Sequence, residues 1–195
     1  MTGSEPKGRA ADMARALRKA LAGRGASEED EAAVGRAYAL GMKARIETLT
    51  DDHHPAYLHP GRNALLLIQD VAGVDPIVLV IAALHESMDE ALRPTAGEVE
   101  AEIGAGALNA LRTIPLPGDE RLVERLLALG PGLSLAALAE RLDHLRHLHL
   151  REDMIDVWAD THTEVSQAWL PFAARTDPVL TRRYAHWLRT FAKRI

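Results

Sequence analysis

Asp75-Pro76-Ile77-Val78-Leu79-Val80-Ile81-Ala82-Ala83-Leu84-His85-Glu86-Ser87-Met88-Asp89-Glu90 is the stretch on which the fold turns. Asp75 offers an N-cap, and Pro76 suits a first helical position whose N–H has no partner anyway, so a helix opens there. From Ile77 to Leu84 every side chain is apolar. A helix apolar on all faces has no solvent side and belongs inside a helical assembly. Its expected course runs to about Leu92, which places His85 and Asp89 four apart on one face and Glu86 and Glu90 on the adjoining face. An imidazole and three carboxylates then end an otherwise apolar helix. Burying them unpaired is costly. A divalent cation is a suitable partner, since imidazole with carboxylate suits Mn, Fe, Zn or Ni. The plainer alternative is that the helix emerges into solvent at residue 85.

Outward from this helix the chain reads as helices throughout. A short helix over 9–22 stops at Gly23 and Gly25. Ser27-Glu28-Glu29-Asp30 resembles a capping box and opens a helix over about 28–47. Thr48 to Pro60, with Asp51, Asp52, His53, His54, Pro55 and Pro60, reads as a loop, and a helix over 62–72 closes at Gly73. Beyond Arg93-Pro94 come helices at 96–103, 105–113, 119–129, 135–149 (capped by Ser134), 153–173 and 178–193, the last begun by Asp177-Pro178. No stretch alternates with period two, so no sheet is expected. The expectation is one all-α domain over residues 1–195, in which 1–27 form an N-terminal extension with residues 1–8 disordered.

Composition supports this and removes several functions. The chain has 195 residues, 47% hydrophobic but only 4% aromatic, so the core must be aliphatic. There is no cysteine, which removes disulfides, thiolate metal ligands and cysteine nucleophiles. The net charge of −5 comes with no basic stripe of the kind that neutralises a nucleic-acid backbone. A helical DNA-binding regulator is therefore a poor reading, and no nucleic-acid partner is expected. The N-terminal MTGSEPKGRAADMARALRKAL lacks the apolar core of a secretory signal, and no apolar run is long enough for a membrane span. The chain reads as cytoplasmic, with no membrane partner.

Two further groups carry chemistry. Glu140, His144 and His147 fall at spacings of four and three, hence on one helical stripe, which is a metal pattern or a solvated face. His59 stands before Pro60 in Tyr57-Leu58-His59-Pro60 and reads as a loop histidine. His53 and His54 read as exposed loop histidines, and His162 and His186 have no acidic partner pattern.

Taken in order, the loop His59-Pro60, the apolar helix ending in His85-Glu86, the acids Asp89-Glu90, and Leu138-Ala139-Glu140-Arg141-Leu142-Asp143-His144-Leu145-Arg146 resemble the HD-domain metal-dependent phosphohydrolases. More narrowly they resemble the guanosine tetraphosphate hydrolase domains of the RelA/SpoT type, above all the small stand-alone alarmone hydrolases, over residues 32–195. The resemblance implies an HD-like helical bundle of about eight to ten helices. It also implies one metal, manganese, held by His59, His85, Glu86 and Glu140. Asp89 and Glu90 would manage the attacking water, and His144, Arg146 and Tyr184 would contact a small nucleotide. The expected activity is hydrolysis of a nucleotide such as a 3′-pyrophosphate ester, with room left for a homodimer. This chain departs from the family pattern in carrying glutamate where both metal-binding aspartates are expected, in the swapped order Asp89-Glu90, and in lacking a basic pair near Thr48-Leu49. Those departures motivate the rival expectation of a catalytically inactive HD-like domain that binds a nucleotide or a protein.

Overall fold

The computed structural model describes residues 8–195, and among these there is no strand. The expected disorder of residues 1–8 lies outside the described residues but for Gly8. The apolar stretch forms α4 (Pro76–Leu84), capped by the Asp75 carboxylate, which accepts from Ile77 N at 3.0 Å. All of Val78 to Leu84 is buried. Three helices enclose α4, namely α2 (Glu28–Thr48), α3 (His59–Asp70) and α8 (Pro131–His147), each in direct contact with it. α1 (Arg9–Ala22) lies across α2 and α3, tied down by the Tyr38 hydroxyl donating to Ala10 O at 2.9 Å. α5 (Ala96–Glu102) pairs with α6 (Ala105–Thr113), and α6 leans on α4. After α7 (Leu122–Leu127) and α8 come α9 (Trp158–Glu164), α10 (Leu170–Thr176) and α11 (Pro178–Phe191), with α10 and α11 packed together against α8. Residues from nearly every helix join one aliphatic core.

Several boundaries follow the local signals. Ser27 and Asp30 form the expected capping box of α2, and Asp177 accepts from Val179 N and Leu180 N at the head of α11. Others differ. α4 stops at Leu84, not near Leu92, because His85 is extended and only a short 3₁₀ turn, Glu90–Leu92, follows. His59 is the first residue of α3 rather than a loop residue, since Pro60 fits the first turn without needing its N–H. α8 begins at Pro131, and Ser134 lies inside it with its hydroxyl on Gly130 O at 3.0 Å. The expected helix over 153–173 is broken into a 3₁₀ stretch (Glu152–Val157), α9, a π turn (Val165–Trp169) and the start of α10. Glu164 explains part of that irregularity, for its carboxylate accepts from Arg141 and Trp169 and from Gly118 N.

The crossing of α2 over α4 depends on a missing side chain. A Cβ at Gly41 would stand 2.6 Å from the Ala83 carbonyl and 3.2 Å from Pro60. Backbone cannot swing aside as a flexible side chain can, so Gly41→Ala should cost about 1–3 kcal/mol, the usual cost of overpacking. Gly35, in the same helix, is exposed, with nothing within 4 Å of an added Cβ. Gly35→Ala should therefore stabilise by about 0.5–1 kcal/mol through helix propensity. Urea unfolding of both variants checks the pair, and destabilisation by both would show that the crossing is not the cause.

Candidate metal centre

Where α4 ends, the chain needs new partners for its backbone, and charged side chains supply them. Glu140 Oε1 accepts from Ser87 N at 2.9 Å, and Glu86 Oε1 accepts from Met88 N at 2.8 Å and Asp89 N at 3.1 Å. Arg93 donates to the carbonyls of Glu86 and Ser87 at 2.7 Å and 3.1 Å. The segment 85–89 is thus held by side chains where a helix would have used its own carbonyls, and His85, Glu86 and Ser87 stay buried in it.

Around this turn α3 and α8 bring the histidines. The donor atoms of His59, Glu140 and His144 all lie within 4.8 Å of one another, and the group could hold a metal ion. His59 Nε2 is 3.8 Å from Glu140 Oε1, and His144 Nε2 is 3.0 Å from the same oxygen. His85 adjoins them, its Nδ1 3.7 Å from Glu140 Oε2. Asp143 accepts from His59 Nδ1 at 2.9 Å, which fixes the ring with its proton on Nδ1. A carboxylate behind a histidine is the arrangement that orients a metal ligand and raises its basicity. Arg62 holds Asp143 in turn, with Nε 2.9 Å from Oδ1. Asn63, one turn along α3, sets its amide nitrogen 2.8 Å from His59 Nε2.

The donor set suits a divalent cation on two further counts. His144 Nε2 lies 3.1 Å from Glu86 and 3.0 Å from Glu140 yet makes an aligned hydrogen bond to neither, and His85 Nδ1 is also buried without one. A buried imidazole nitrogen without a partner beside a carboxylate is one that a cation could engage. Two imidazole nitrogens and a carboxylate are, moreover, ligands that borderline divalent ions accept.

Electrostatics balances the burial. Desolvation would lift the Glu140 carboxyl, but His144 and then His85 hold it well below the usual range. The same cost at Glu86 is overcome by His144, His59 and Arg45, and that carboxyl is also held low. Burial alone would depress His144, but Glu140 and Glu86 raise it to about 9. His59 goes the other way, lowered by its burial and then by the charge of His144, so it stands neutral.

The remaining expected site residues fall in different places. Glu86 is at the cluster, 4.0 Å from His59 Nε2, but its Oε2 is engaged by the buried Arg45 guanidinium, and its Oε1 by two backbone amides. Glu90 lines an open cleft of about 620 Å³ together with His85 and Glu86. Asp89 does not line that cleft, and its Oδ1 instead caps the 3₁₀ turn by accepting from Ala91 N at 3.0 Å. Tyr184, expected at the substrate, is fully buried and donates its hydroxyl to Leu138 O at 2.8 Å, so its task is to pin α11 to α8. Arg146 is two positions from His144, which turns it about 200° around α8, and it lines a different groove. His144, expected as a nucleotide contact, sits among the metal-ligand candidates.

The sequence reading missed Arg45, Arg62, Asn63 and Asp143. Asn63 and Asp143 carried a signal: Asn63 is four after His59, and Asp143 lies between Glu140 and His147 on the stripe already noted. It also missed the cations of the cleft. Arg93, Arg112 and Arg125 stand on its walls, above an apolar floor that includes Leu84, Val99 and Leu108. Arg112 is exposed and makes no ion pair among the described residues.

No family profile, curated protein or solved structure matches this chain.

Two predictions test the cluster. Asp143→Asn keeps the shape but weakens the support of His59, and manganese affinity measured by calorimetry should fall by about 10–100-fold. An unchanged affinity would remove His59 from the ligand group. The second concerns pH in chelator-treated protein. His144 is raised from 6.5 to about 9 on folding, so its stabilising contribution is complete below 6.5 and is lost as pH rises through 9. Melting temperature should fall over that window, and His144→Gln should flatten the fall. A profile identical in the two proteins would show that His144 carries no proton in the cluster.

Proposed function

We propose that this chain is a metal-dependent phosphohydrolase of the HD type acting on a small nucleotide, with a 3′-pyrophosphate ester of the alarmone kind as the leading substrate class. The observation that carries the reading is the meeting of His59, His85, Glu140 and His144, drawn from three separate parts of the chain, beside a cleft edged by arginines. Manganese is the expected ion, in keeping with the resemblance and with the nitrogen-rich donor set. When bound, such an ion supplies Lewis acidity and lowers the pKa of water.

The protein groups have definable tasks. Arg112, which makes no ion pair among the described residues, offers charge-assisted hydrogen bonds to the phosphoryl oxygens, while Arg93 is held by the Glu86 and Ser87 carbonyls and Arg125 by Asp119. The apolar floor of the cleft accepts the base and sugar. Glu90, exposed at the cleft and free of backbone duties, takes a proton from the attacking water. The water oxygen bonds to phosphorus, the ester P–O bond breaks, and the leaving oxygen takes up the proton that Glu90 removed and departs as a hydroxyl. The polyphosphate product then leaves the cleft.

The pairing of Glu86 with Arg45 favours a second reading, in which the chain binds a nucleotide or a protein without hydrolysing anything. A carboxylate so engaged gives little to a metal, and a protonated His144 between two glutamates satisfies them without one.

Elemental analysis of purified protein, followed by phosphate release from a nucleotide panel with added manganese, separates these. The hydrolase predicts bound or bindable metal and release that falls at least about 100-fold in Glu140→Gln. Absence of metal uptake and of release from every nucleotide would leave only the binding module.

A further inference from the structure

A second cleft, of about 560 Å³, lies between the C-terminal half of α8 and α11. Its floor is Leu142, Val179, Trp187 and Phe191, and the two aromatic rings stack with centroids 4.6 Å apart. Trp187 is held in place by its indole N–H, which donates to Leu145 O at 2.7 Å. Around the floor stand Arg146, Arg182, Arg183 and Arg194, with His149 and His186, and no acidic residue lines the groove. Arg183 is engaged by Asp70. The other three arginines make no ion pair among the described residues, although the chain carries a net charge of −5.

Like charges gathered around one hollow repel, and an acidic chain has carboxylates to neutralise them. Here they stay free. Guanidinium groups bind phosphate bidentately and stack on planar groups. A volume of this size suits a small molecule, and the buried aromatic floor would be wasted on an inorganic ion. The basic surface is also a single hollow rather than a stripe following a nucleic-acid backbone. We infer that this groove binds a small organic polyphosphate, its phosphates on Arg146, Arg182 and Arg194 and its apolar ring against the Trp187–Phe191 floor. The site is separate from the metal cluster, because Leu142 and Arg146 leave α8 on the side away from Glu140 and His144. The inference does not depend on the chain being a hydrolase.

The test is calorimetric titration of the full chain, in chelator, with ATP, inorganic triphosphate and adenosine. ATP should bind, triphosphate more weakly and adenosine not detectably. Reversing Arg182→Glu together with Arg194→Glu should weaken ATP by at least about tenfold, given about 1.5–3 kcal/mol for a hydrogen bond to a charged group. Both arginines are exposed, so the fold should persist, and circular dichroism checks it. The milder Arg182→Gln with Arg194→Gln should show the same order of effect if the reversal unfolds the chain. A matched reversal of Arg18 and Arg36, exposed on α1 and α2, should leave ATP binding unchanged. The proposal is overturned if wild-type protein binds no ATP at millimolar concentration, or if both reversals weaken it equally. It is overturned too if a single-stranded RNA binds more tightly than ATP with the same dependence on Arg182 and Arg194.

Discussion

A charged carboxylate inside a protein is tolerated only with a partner, and Glu86 has Arg45. The guanidinium of Arg45 is itself buried, so neither charge has water. Every direction of that guanidinium is used: Nε donates to Ala56 O at 3.0 Å, and Nη1 to Gly41 O at 2.7 Å and Leu92 O at 2.9 Å. One side chain thereby joins α2, the loop before α3, the turn after α4 and the 3₁₀ segment beyond it. Removing either partner from such a pair typically costs about 3–5 kcal/mol, since the survivor is left buried and unpaired. That is a large share of the stability of a domain this size. The turn at 85–89 hangs from Glu86, and His85 is positioned by that turn. The candidate metal centre therefore rests on an ion pair that adjoins the His59, Glu140 and His144 group.

How much of this could be read beforehand depends on how far apart the interacting groups lie in the chain. The cap at Ser27, the Asp75-Pro76 and Asp177-Pro178 starts and the all-apolar body of α4 are decided within a turn or two, and each was legible. The end of α4 was not. Its residues could continue the helix, and what stops it is competition from Glu140, more than fifty residues away, for Ser87 N. The stripe of Glu140, His144 and His147 was visible as a spacing, but Asp143 beside it looked like one more surface acid. Only the fold brings His59 to it across α3 and α8. The cleft arginines were invisible for the same reason, since Arg93, Arg112 and Arg125 come from three separate segments.

α8 carries residues of both the candidate metal cluster and the basic groove against α11. One face turns Glu140, Asp143 and His144 toward α3 and the end of α4, while another turns Leu142 and Arg146 toward α11. Its middle is held by aromatic donors of α11, with Tyr184 on Leu138 O and Trp187 on Leu145 O. A change in the position of α11 would thus pull on carbonyls within a turn of the histidine and glutamate that face the metal cluster. Packed helices move as units rather than deforming continuously. The metal cluster and the basic groove thus share one helix.

Charge balance then bears on what the proposed metal would do. In the cluster, Glu86, Glu140 and Asp143 carry three negative charges, and Arg45, Arg62 and protonated His144 carry three positive ones. The cluster is neutral as it stands, which is what a buried group of this size requires. A divalent ion bound by His144 must displace its proton, because only the neutral imidazole has a lone pair to give. Exchanging one positive charge for two leaves the cluster with a surplus of one, next to a cleft whose walls already carry arginines. An anion entering that cleft would restore neutrality. On the proposed reading, binding of the phosphate ester is therefore coupled to metal through charge.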